Sequence, residues 1–251
     1  MKLSKSQIKS HEQVMELVYS DKPLNDEQKY FILDNFQEGA LHINSKAGAF
    51  FTPSGLARDF SIEVCGNRGI DLCAGIGSLS FACEQKLDEL VCVEINADYA
   101  AIGKRIVPNA TWIVSSAFEV DYSSLGIFDV AISNPPFGNI KEDGFKGKYT
   151  GSNFEHKIIE LASRIARYGV FIIPQNSASF EYSGKRNYQE RISDKCQKFI
   201  DQTGIVMGPS CGIDTAFYKD DWNGVSPICE IVCCEFDAIA LEHEAQMGLF
   251  G

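Results

Sequence analysis

Five short apolar runs, separated from one another by helical stretches, constrain the fold of this chain more than any other feature. The runs cover residues 68–73, 90–93, 111–114, 128–133 and 169–174. Strands that alternate with helices pair in parallel, because a crossover that contains a helix returns the chain to the same end of the sheet. The sequence therefore predicts an α/β fold with a doubly wound, mostly parallel sheet and helices on both faces.

Length and composition fit one soluble domain. The chain has 251 residues, of which 45% are hydrophobic and 23% charged, as is typical of a globular protein. One α/β domain is more common at this length than two small ones. No apolar run approaches the roughly 18 residues of a membrane helix, and no signal-peptide pattern opens the sequence. We therefore expect a cytoplasmic protein without membrane contact.

The nine cysteines and four histidines show no metal-binding pattern. No C-x-x-C pair occurs, and several cysteines stand in apolar, strand-like runs where cysteine acts as a small hydrophobic residue. Free thiols are typical of a reducing compartment. The sequence therefore predicts no metal site.

Polar residues and glycines follow the predicted strands at the point where each strand ends. The carboxyl ends of parallel strands share one edge of the sheet, and ligands bind beyond that edge. The residues brought there are Asp71, Gly75, Glu94, Ser116 and Asn134. Five candidate ligand groups at one edge predict a binding site rather than a set of unrelated turns.

The loop after the first strand combines glycines with a later acidic residue. Gly75 and Gly77 allow positive φ angles and a close approach of the backbone to a ligand. Glu94 ends the second strand 19 residues after Gly75, where a carboxylate can accept hydrogen bonds from ribose hydroxyls. Position 80 is serine instead of the third glycine of the dinucleotide fingerprint, so the pattern is incomplete for NAD.

The fourth strand ends in Asn-Pro-Pro-Phe at residues 134–137. Consecutive prolines cannot continue a strand, because each lacks an N–H and has a fixed φ. This corner can offer the Asn134 side-chain oxygen and the Pro135 carbonyl to a planar –NH2 group, while Phe137 stacks on the ring that carries the amine. The alternative is a strand-to-loop turn in which Pro135 and Pro136 have no chemical role.

The net charge of −11 is unevenly distributed. Residues 140–200 carry 11 Lys and Arg against 7 Asp and Glu, or +4, whereas the remainder carries 12 against 27, or −15. A basic segment with interspersed aromatics suits phosphates and unstacked bases, although an ordinary solvated surface is the alternative. The candidate nucleic-acid-binding residues are Lys146, Lys148, Tyr149, Lys185, Arg186 and Tyr188.

Three further patterns predict local structure. Thr52 and Pro53 predict a helix N-cap followed by a proline at the first helical position. Residues 205–208 and 227–236 predict the last two strands. The glycine-rich segment 138–151 predicts a lid over the site, with an ordinary long surface loop as the alternative.

The domain organisation follows from these elements. We expect an N-terminal helical extension over residues 1–48, one domain over residues 49–238 with short insertions near 139–152 and 175–200, and a C-terminal tail over residues 239–251.

Taken together, the motifs resemble those of class I S-adenosylmethionine-dependent methyltransferases, in particular the amino-methyltransferase branch. Residues 51–53 resemble the motif beside the cofactor's methionine end, residues 71–77 the glycine-rich cofactor loop, and residues 134–137 the catalytic tetrapeptide of enzymes that methylate adenine N6 or glutamine N5. The order of motifs is that of the gamma group of DNA adenine N6-methyltransferases. The resemblance implies a Rossmann-like sheet of seven strands with a terminal antiparallel strand.

The resemblance also implies a cofactor and site residues. The cofactor is S-adenosylmethionine, and the catalytic residues are Asn134, Pro135, Pro136 and Phe137. The implied cofactor-binding residues are Phe51, Thr52, Pro53, Asp71, Cys73, Ala74, Gly75, Gly77, Glu94, Ile95, Ser116, Ala117 and Asn134. The basic and aromatic segment near 175–200 is short for the separate recognition domain usual in gamma enzymes, which leaves the target sequence and the acceptor polymer open.

The implied function is methylation of adenine N6 in DNA, with the base flipped out because N6 cannot meet the methyl donor inside a duplex. The alternative acceptors are adenine in RNA and a glutamine amide of a protein, whose modifying enzymes usually have tyrosine where this chain has Phe137. A third hypothesis is a binding module without turnover, but the cofactor and catalytic motifs are both intact.

The C-terminal residues Gln246, Met247, Leu249 and Phe250 resemble the short peptide with which bacterial replication proteins bind the sliding clamp. An apolar tail can also pack on its own domain. The tail therefore predicts a clamp contact or an intramolecular one.

Overall fold

The computed structural model describes residues 4–37, 50–140, 144–223 and 226–236. Two helices come first, α1 (Lys5–Tyr19) and α2 (Asp26–Asn35). Each begins with a capping box. The side chain of Ser4 or Asn25 accepts a hydrogen bond from the backbone N–H of a glutamine three residues later, and the side chain of that glutamine accepts one from the backbone N–H of Ser4 or Asn25. The apolar faces of these helices join the same core as the sheet.

The remaining elements alternate between helices and strands. In chain order they are α3 (Ser54–Phe60), β1 (Arg68–Leu72), α4 (Ser78–Cys83), β2 (Glu89–Glu94), α5 (Ala97–Ile106), β3 (Thr111–Val114), β4 (Phe128–Ser133), α6 (Phe154–Ala162), β5 (Ala166–Pro174), β6 (Phe180–Glu181), β7 (Gln189–Glu190), α7 (Asp194–Thr203), β8 (Gly208–Pro209) and β9 (Cys229–Glu235). Short 3₁₀ turns follow α3, β3 and β5, and another precedes β9.

Seven of these strands form one sheet in the order β3-β2-β1-β4-β5-β9-β8. The first five strands are parallel, whereas β9 runs antiparallel to both β5 and β8. The predicted seven-stranded, mostly parallel sheet with an antiparallel strand near its end is therefore confirmed. Strands β6 and β7 form a separate hairpin.

The two faces of the sheet are covered by different helices. On one face, Cys92, Val130 and Ile132 pack with residues of α1 to α5. On the other, Ile70 and Val91 pack with residues of α6 and α7. Neighbouring residues of a strand point to opposite faces, so the continuous apolar runs of the sequence fill both cores.

The register of the central strands sets the position of the site. Leu72 pairs with Val93, and Asp71 pairs with Ile132. One or two residues further along, Cys73, Glu94 and Asn134 therefore lie level at the carboxyl edge. None of the helices in the described ranges is long and apolar enough to cross a membrane.

The predicted position of one strand of the sheet is wrong. Strand β8 covers Gly208–Pro209 instead of residues 205–208. Ile205 and Met207 are buried in the core on the α6 and α7 side, so their apolar character reflects packing ahead of the strand.

Candidate active site

A cavity of about 620 Å³ lies at the carboxyl edge of the sheet, where β1, β2, β3 and β4 end. Its size falls within the range of about 300–1,000 Å³ that is usual for small-molecule sites. The residues predicted to hold a cofactor that line it are Phe51, Thr52, Asp71, Cys73, Ala74, Gly75, Glu94, Ile95, Ser116, Ala117 and Asn134. Two others, Pro53 and Gly77, do not line it. Of the predicted catalytic residues, Asn134 and Pro136 line the cavity, whereas Pro135 and Phe137 do not.

The loop between β1 and α4 places backbone atoms at the cavity wall. Cys73, Gly75 and Gly77 all have positive φ angles, of 66°, 57° and 91°. Gly75 also lies against the Phe51 ring, since a Cβ atom added to it would lie 3.1 Å from that ring. Glycine adopts this backbone angle without strain and leaves room for the Phe51 ring, which explains the sequence signal there.

Glu94 closes this loop from the end of β2. Its Oε2 accepts a hydrogen bond from the Gly75 N–H at 2.7 Å, and its Oε1 accepts one from the Asn96 N–H at 2.8 Å. Burial raises the pKa of the Glu94 carboxyl, while the backbone hydrogen bonds oppose that rise. The carboxyl group as a whole retains capacity for a further donor, such as a ligand hydroxyl.

Asp71, the second-to-last residue of β1, is a buried acid with only part of its hydrogen-bonding capacity used. Its Oδ2 accepts from the Ser80 hydroxyl at 2.5 Å, whereas its Oδ1 and the nearby Ser78 hydroxyl have no partner among the described residues. Burial raises the pKa of Asp71 to about 7, with a smaller contribution from the Glu94 charge. A buried polar atom without a partner costs about 1–3 kcal/mol, so a bound donor would be favoured here.

The described lining of the cavity is acidic. It contains the carboxyl groups of Asp71, Glu94 and Glu119 and no lysine, arginine or histidine. A phosphate group would meet only like charges in this cavity, whereas a cation or a ligand rich in N–H and O–H donors would be attracted.

Asn134 is held in one orientation by residues that precede α3. Its Nδ2 donates to the Phe50 carbonyl at 2.8 Å and to the Thr52 hydroxyl at 2.9 Å. The reversed amide would place Oδ1 against the Phe50 carbonyl, so the contacts fix which atom is the nitrogen. The Asn134 Oδ1 is buried and has no donor in the described structure. The side chain therefore keeps one acceptor for a ligand.

This contact corrects the prediction for Thr52. Helix α3 begins at Ser54 with Pro53 at the N-cap position, and no side chain caps it. Thr52 is buried, and its hydroxyl is used by Asn134 instead of by the helix. A long-range hydrogen bond has replaced the local one that the Thr-Pro pattern predicts.

The loop beyond the tetrapeptide is anchored to α6. Gly138, with a φ angle of 87°, donates its N–H to Glu155 Oε2 at 3.1 Å and accepts from the Phe154 N–H at 3.0 Å. The other Glu155 oxygen accepts from Asn153 Nδ2 at 2.8 Å and from the Ser177 hydroxyl at 2.7 Å. Because Glu155 is fully buried, this carboxylate fixes the position at which residues 134–137 leave the sheet.

Phe137 lies half-buried beside the site. Its ring packs against Phe50, with the two centroids 6.2 Å apart and the planes 60° apart. Phe50 also supplies the carbonyl that holds Asn134. The amide and the ring of the tetrapeptide are thus both supported by the same preceding residue.

One of the six residues predicted to bind nucleic acid is buried in the structure. Tyr149 is only 3% exposed and packs edge-on against His156 and Phe199. It is buried because the Glu160 carboxylate accepts hydrogen bonds from the backbone N–H groups of Lys148 and Tyr149 and draws that segment onto α6. Tyr149 therefore belongs to the core and not to a surface that contacts nucleic acid.

The other five predicted residues are exposed on two segments. Lys146 and Lys148 lie in the loop before α6, and Lys185, Arg186 and Tyr188 lie between β6 and β7. Lys185 pairs with Glu181 at 2.9 Å.

The predicted clamp-binding residues, Gln246, Met247, Leu249 and Phe250, lie outside the described residues.

Several lining residues escaped the sequence analysis. They include Phe50, Ser78, Tyr99, Glu119, Ile140 and Phe154. Glu119 follows β3 in a turn closed by its own N–H to the Ser116 carbonyl at 3.0 Å. The predicted ligand Ser116 was one signal for this turn, but nothing local distinguishes Glu119 from the many exposed acids.

Within the described ranges, no group of histidine, cysteine and acidic residues could hold a metal ion.

Comparison with known proteins places the fold. No protein-family model and no curated protein matches the chain. A structure named as an RNA methyltransferase from Pyrococcus horikoshii is 14% identical, with a TM-score of 0.53, and the match covers 84% of this chain and 99% of that one. A structure named as a class I S-adenosylmethionine-dependent methyltransferase from Listeria monocytogenes is 12% identical, with a TM-score of 0.54 and coverage of 93% and 81%.

A third similar structure is the methyltransferase subunit of a type I restriction-modification system from Streptococcus thermophilus. It is 13% identical, with a TM-score of 0.54, and the match covers 85% of this chain. The chain spans about half of that subunit, 51% of its length. At these identities the comparisons show a shared fold, the Rossmann-like methyltransferase fold.

Proposed function

We propose that this protein is an S-adenosylmethionine-dependent N-methyltransferase whose acceptor is the N6 amino group of adenine in DNA. The observation that carries the proposal is the state of the Asn134 amide. Its nitrogen is fully engaged by Phe50 and Thr52, and its oxygen is an unpaired acceptor in a residue that lines the cavity. A group bound there must be a donor, and a planar –NH2 group supplies two N–H bonds.

The cavity fits S-adenosylmethionine in its charge and donor set. When bound, this cofactor would supply a methyl group on a sulfonium, whose sulfur leaves as a neutral thioether when the carbon–sulfur bond breaks. An acidic cavity without described basic residues suits its sulfonium and ammonium charges and disfavours the phosphates of a dinucleotide. Glu94 would accept from the ribose hydroxyls, and the unpaired atoms of Asp71 and Ser78 offer further polar contacts.

The tetrapeptide would activate the acceptor without an ionisable base. The Asn134 Oδ1 and the Pro135 carbonyl would each accept one hydrogen of the amino group. These bonds would hold the nitrogen with its lone pair directed at the methyl group and stabilise the positive charge that develops on it, and the methylated nitrogen would then lose one proton to solvent. Phe137, supported by Phe50, would stack on the base.

Two features favour a nucleic acid as acceptor. The tetrapeptide ends in Phe137, whereas glutamine-directed enzymes usually have tyrosine there, and cations lie exposed on two loops. Among the similar structures, one is named for RNA and one for a restriction-modification system. Adenine in RNA and a glutamine amide of a protein are the alternative acceptors.

The cofactor and the acceptor are tested separately. Saturating S-adenosylmethionine should raise the melting temperature of the wild-type protein, and Glu94→Ala should weaken the effect. Cofactor with a tritiated methyl group is then offered with duplex DNA, total RNA or a protein extract. Label in DNA that digests to N6-methyladenine supports the proposal. Label only in RNA or protein would assign the same chemistry to another acceptor.

A further inference from the structure

Among the described residues, Phe217 has the most exposed large apolar side chain, with 82% of its surface accessible. It lies in the 3₁₀ turn Thr215–Tyr218, between two residues that are buried. A single exposed aromatic is not unusual in itself. Its surroundings, however, combine a rigid backbone, a second aromatic ring and a free cation.

The turn that carries Phe217 is fixed by its neighbours. Asp214 Oδ1 accepts hydrogen bonds from the N–H groups of Ala216 and Gly184, both at 2.9 Å. The Thr215 hydroxyl donates to the Cys229 carbonyl at 2.7 Å. Hydrogen bonds to the β6–β7 hairpin and to β9 therefore hold the backbone just before Phe217. This order lowers the entropy that would be lost when a ligand binds to the ring.

The same contacts join this turn to the β6–β7 hairpin. The Ser183 hydroxyl accepts from the Thr215 N–H at 3.1 Å and donates to the buried Glu230 carboxylate at 2.8 Å. A Cβ atom added to Gly184 would lie 3.4 Å from the Ala216 Cβ. Phe217 follows Ala216, and Lys185 follows Gly184, so the exposed ring and the hairpin residues lie on two segments that contact each other.

The hairpin contributes a second ring and a cation. Tyr188 is 49% exposed and stacks on the buried Phe180, with centroids 5.5 Å apart and planes 24° apart. Arg186 has no ion-pair partner in the described part of the chain, unlike Lys185, which pairs with Glu181. We call Phe217, Arg186 and Tyr188 the aromatic platform.

The turn that carries Phe217 is joined through Tyr218 to the helix beside the candidate active site. The Tyr218 ring packs on the first turn of α3, where a Cβ atom added to Gly55 would lie 2.8 Å from it, and the Tyr218 hydroxyl donates to Asp59. Helix α3 begins two residues after Thr52, which holds Asn134. A strand with one base at Asn134 could therefore reach the platform with its neighbouring nucleotides.

We infer that the aromatic platform binds the nucleotides next to the methylated base, with Phe217 stacking on an unpaired base and Arg186 contacting a phosphate. The inference rests on the proposed function and names the surface that would hold the acceptor strand. Base stacking on an exposed ring is independent of sequence and suits a base displaced from a duplex, and a neighbouring guanidinium satisfies the backbone charge.

The test is binding of a dye-labelled, adenine-containing single-stranded oligodeoxynucleotide, followed by fluorescence anisotropy. Phe217→Ala should weaken the affinity about fivefold or more, the loss expected for one stacked base. Tyr19→Ala is the matched control, because Tyr19 is 78% exposed on α1 and should leave the affinity unchanged. Phe217→Trp should restore binding, and its indole fluorescence should be quenched by the bound strand.

The outcomes separate this inference from the proposed function. Equal affinities of wild type and Phe217→Ala, with label still transferred to DNA, would overturn the platform and leave the enzyme intact. A wild-type protein that binds no nucleic acid would overturn both the acceptor and the platform. A change in oligomeric state of Phe217→Ala, measured by sedimentation, with unchanged nucleic-acid affinity would assign the ring to a protein interface and overturn the platform as well.

Discussion

The Asn134 amide N–H donates a hydrogen bond to the Thr52 hydroxyl, with 2.9 Å between Nδ2 and Oγ1, and joins two residues 82 positions apart in the chain. Thr52 thereby determines which atom of Asn134 is left without a hydrogen-bond partner. Thr52→Val has almost the same shape but lacks the acceptor. We expect it to slow methyl transfer about tenfold, the value of one orienting hydrogen bond, with a smaller effect on cofactor affinity.

Thr52→Ser is the control for that prediction, because it keeps the hydroxyl and removes only a methyl group. Single-turnover rates at saturating cofactor should place Thr52→Ser near wild type and Thr52→Val below it. Equal rates for the two variants would show that Thr52 does not position Asn134.

Glu155 should contribute mainly through the Gly138 loop. Glu155→Ala leaves the Gly138 N–H, the Asn153 amide and the Ser177 hydroxyl without their buried acceptor, so we expect a loss of about 2–5 kcal/mol in the free energy of unfolding. Urea denaturation measures this loss. Glu27→Ala is a matched control, since Glu27 also occupies the second position of a helix but is exposed, and it should cost far less.

Asp71 should make stability depend on pH. Its folded-state pKa of about 7 lies above the ordinary value near 4, so the folded chain binds the proton more tightly than the unfolded chain. The folded state therefore loses stability as the pH rises from about 4 to about 7. Asp71→Asn removes this loss, and its melting temperature relative to wild type should be higher at pH 8 than at pH 5.

The same acid should affect cofactor binding in the opposite direction. A cationic ligand favours the ionised carboxylate, so the thermal shift produced by S-adenosylmethionine should increase between pH 5.5 and pH 8 in the wild type. Asp71→Asn should show a smaller shift with less dependence on pH. A wild-type shift that falls over this range would contradict the assignment of Asp71 to the cofactor site.

The exposed cations of the β6–β7 hairpin should govern the salt dependence of DNA binding. Arg186→Ala should weaken binding and lower the slope of log K against log salt by about one, as for the loss of one phosphate contact. Lys5→Ala, at an exposed position on α1, should leave the slope unchanged. Anisotropy titrations over a range of salt concentrations measure both.

Tyr149 should behave as a core residue. Tyr149→Phe removes a hydroxyl that lies 3.3 Å from His156 Nδ1 and 3.5 Å from Asn153 Oδ1, so a modest loss of stability is expected. DNA affinity should not change. A selective loss of affinity with unchanged stability would return Tyr149 to the binding surface.

Much of the site could be predicted because it depends on strand order. Asp71, Glu94 and Asn134 each end a recognisable apolar run, and a parallel sheet brings such ends together whatever the details of packing. Gly75 was visible for a local reason, since glycine adopts its positive φ angle without strain and leaves room for the Phe51 ring.

The errors arose where a tertiary contact overrode a local pattern. The hydroxyl of Thr52 was expected to cap α3, but Asn134 uses it. Tyr149 stands in a basic, glycine-rich segment, yet the buried Glu160 draws that segment into the core. Phe217 had no sequence signal, because an exposed and a buried phenylalanine differ only in their surroundings. Such contacts join residues far apart in the chain and leave no periodic pattern.

The central claim is that the Asn134 oxygen holds the amino group that is methylated. The most direct measurement compares tritium transfer to duplex DNA by wild type and by Asn134→Ala, with cofactor affinity measured in parallel. We expect label in N6-methyladenine that falls about 10²-fold or more in the variant, since one positioned acceptor is lost, while S-adenosylmethionine still stabilises the protein. Transfer by Asn134→Ala at the wild-type rate would contradict it.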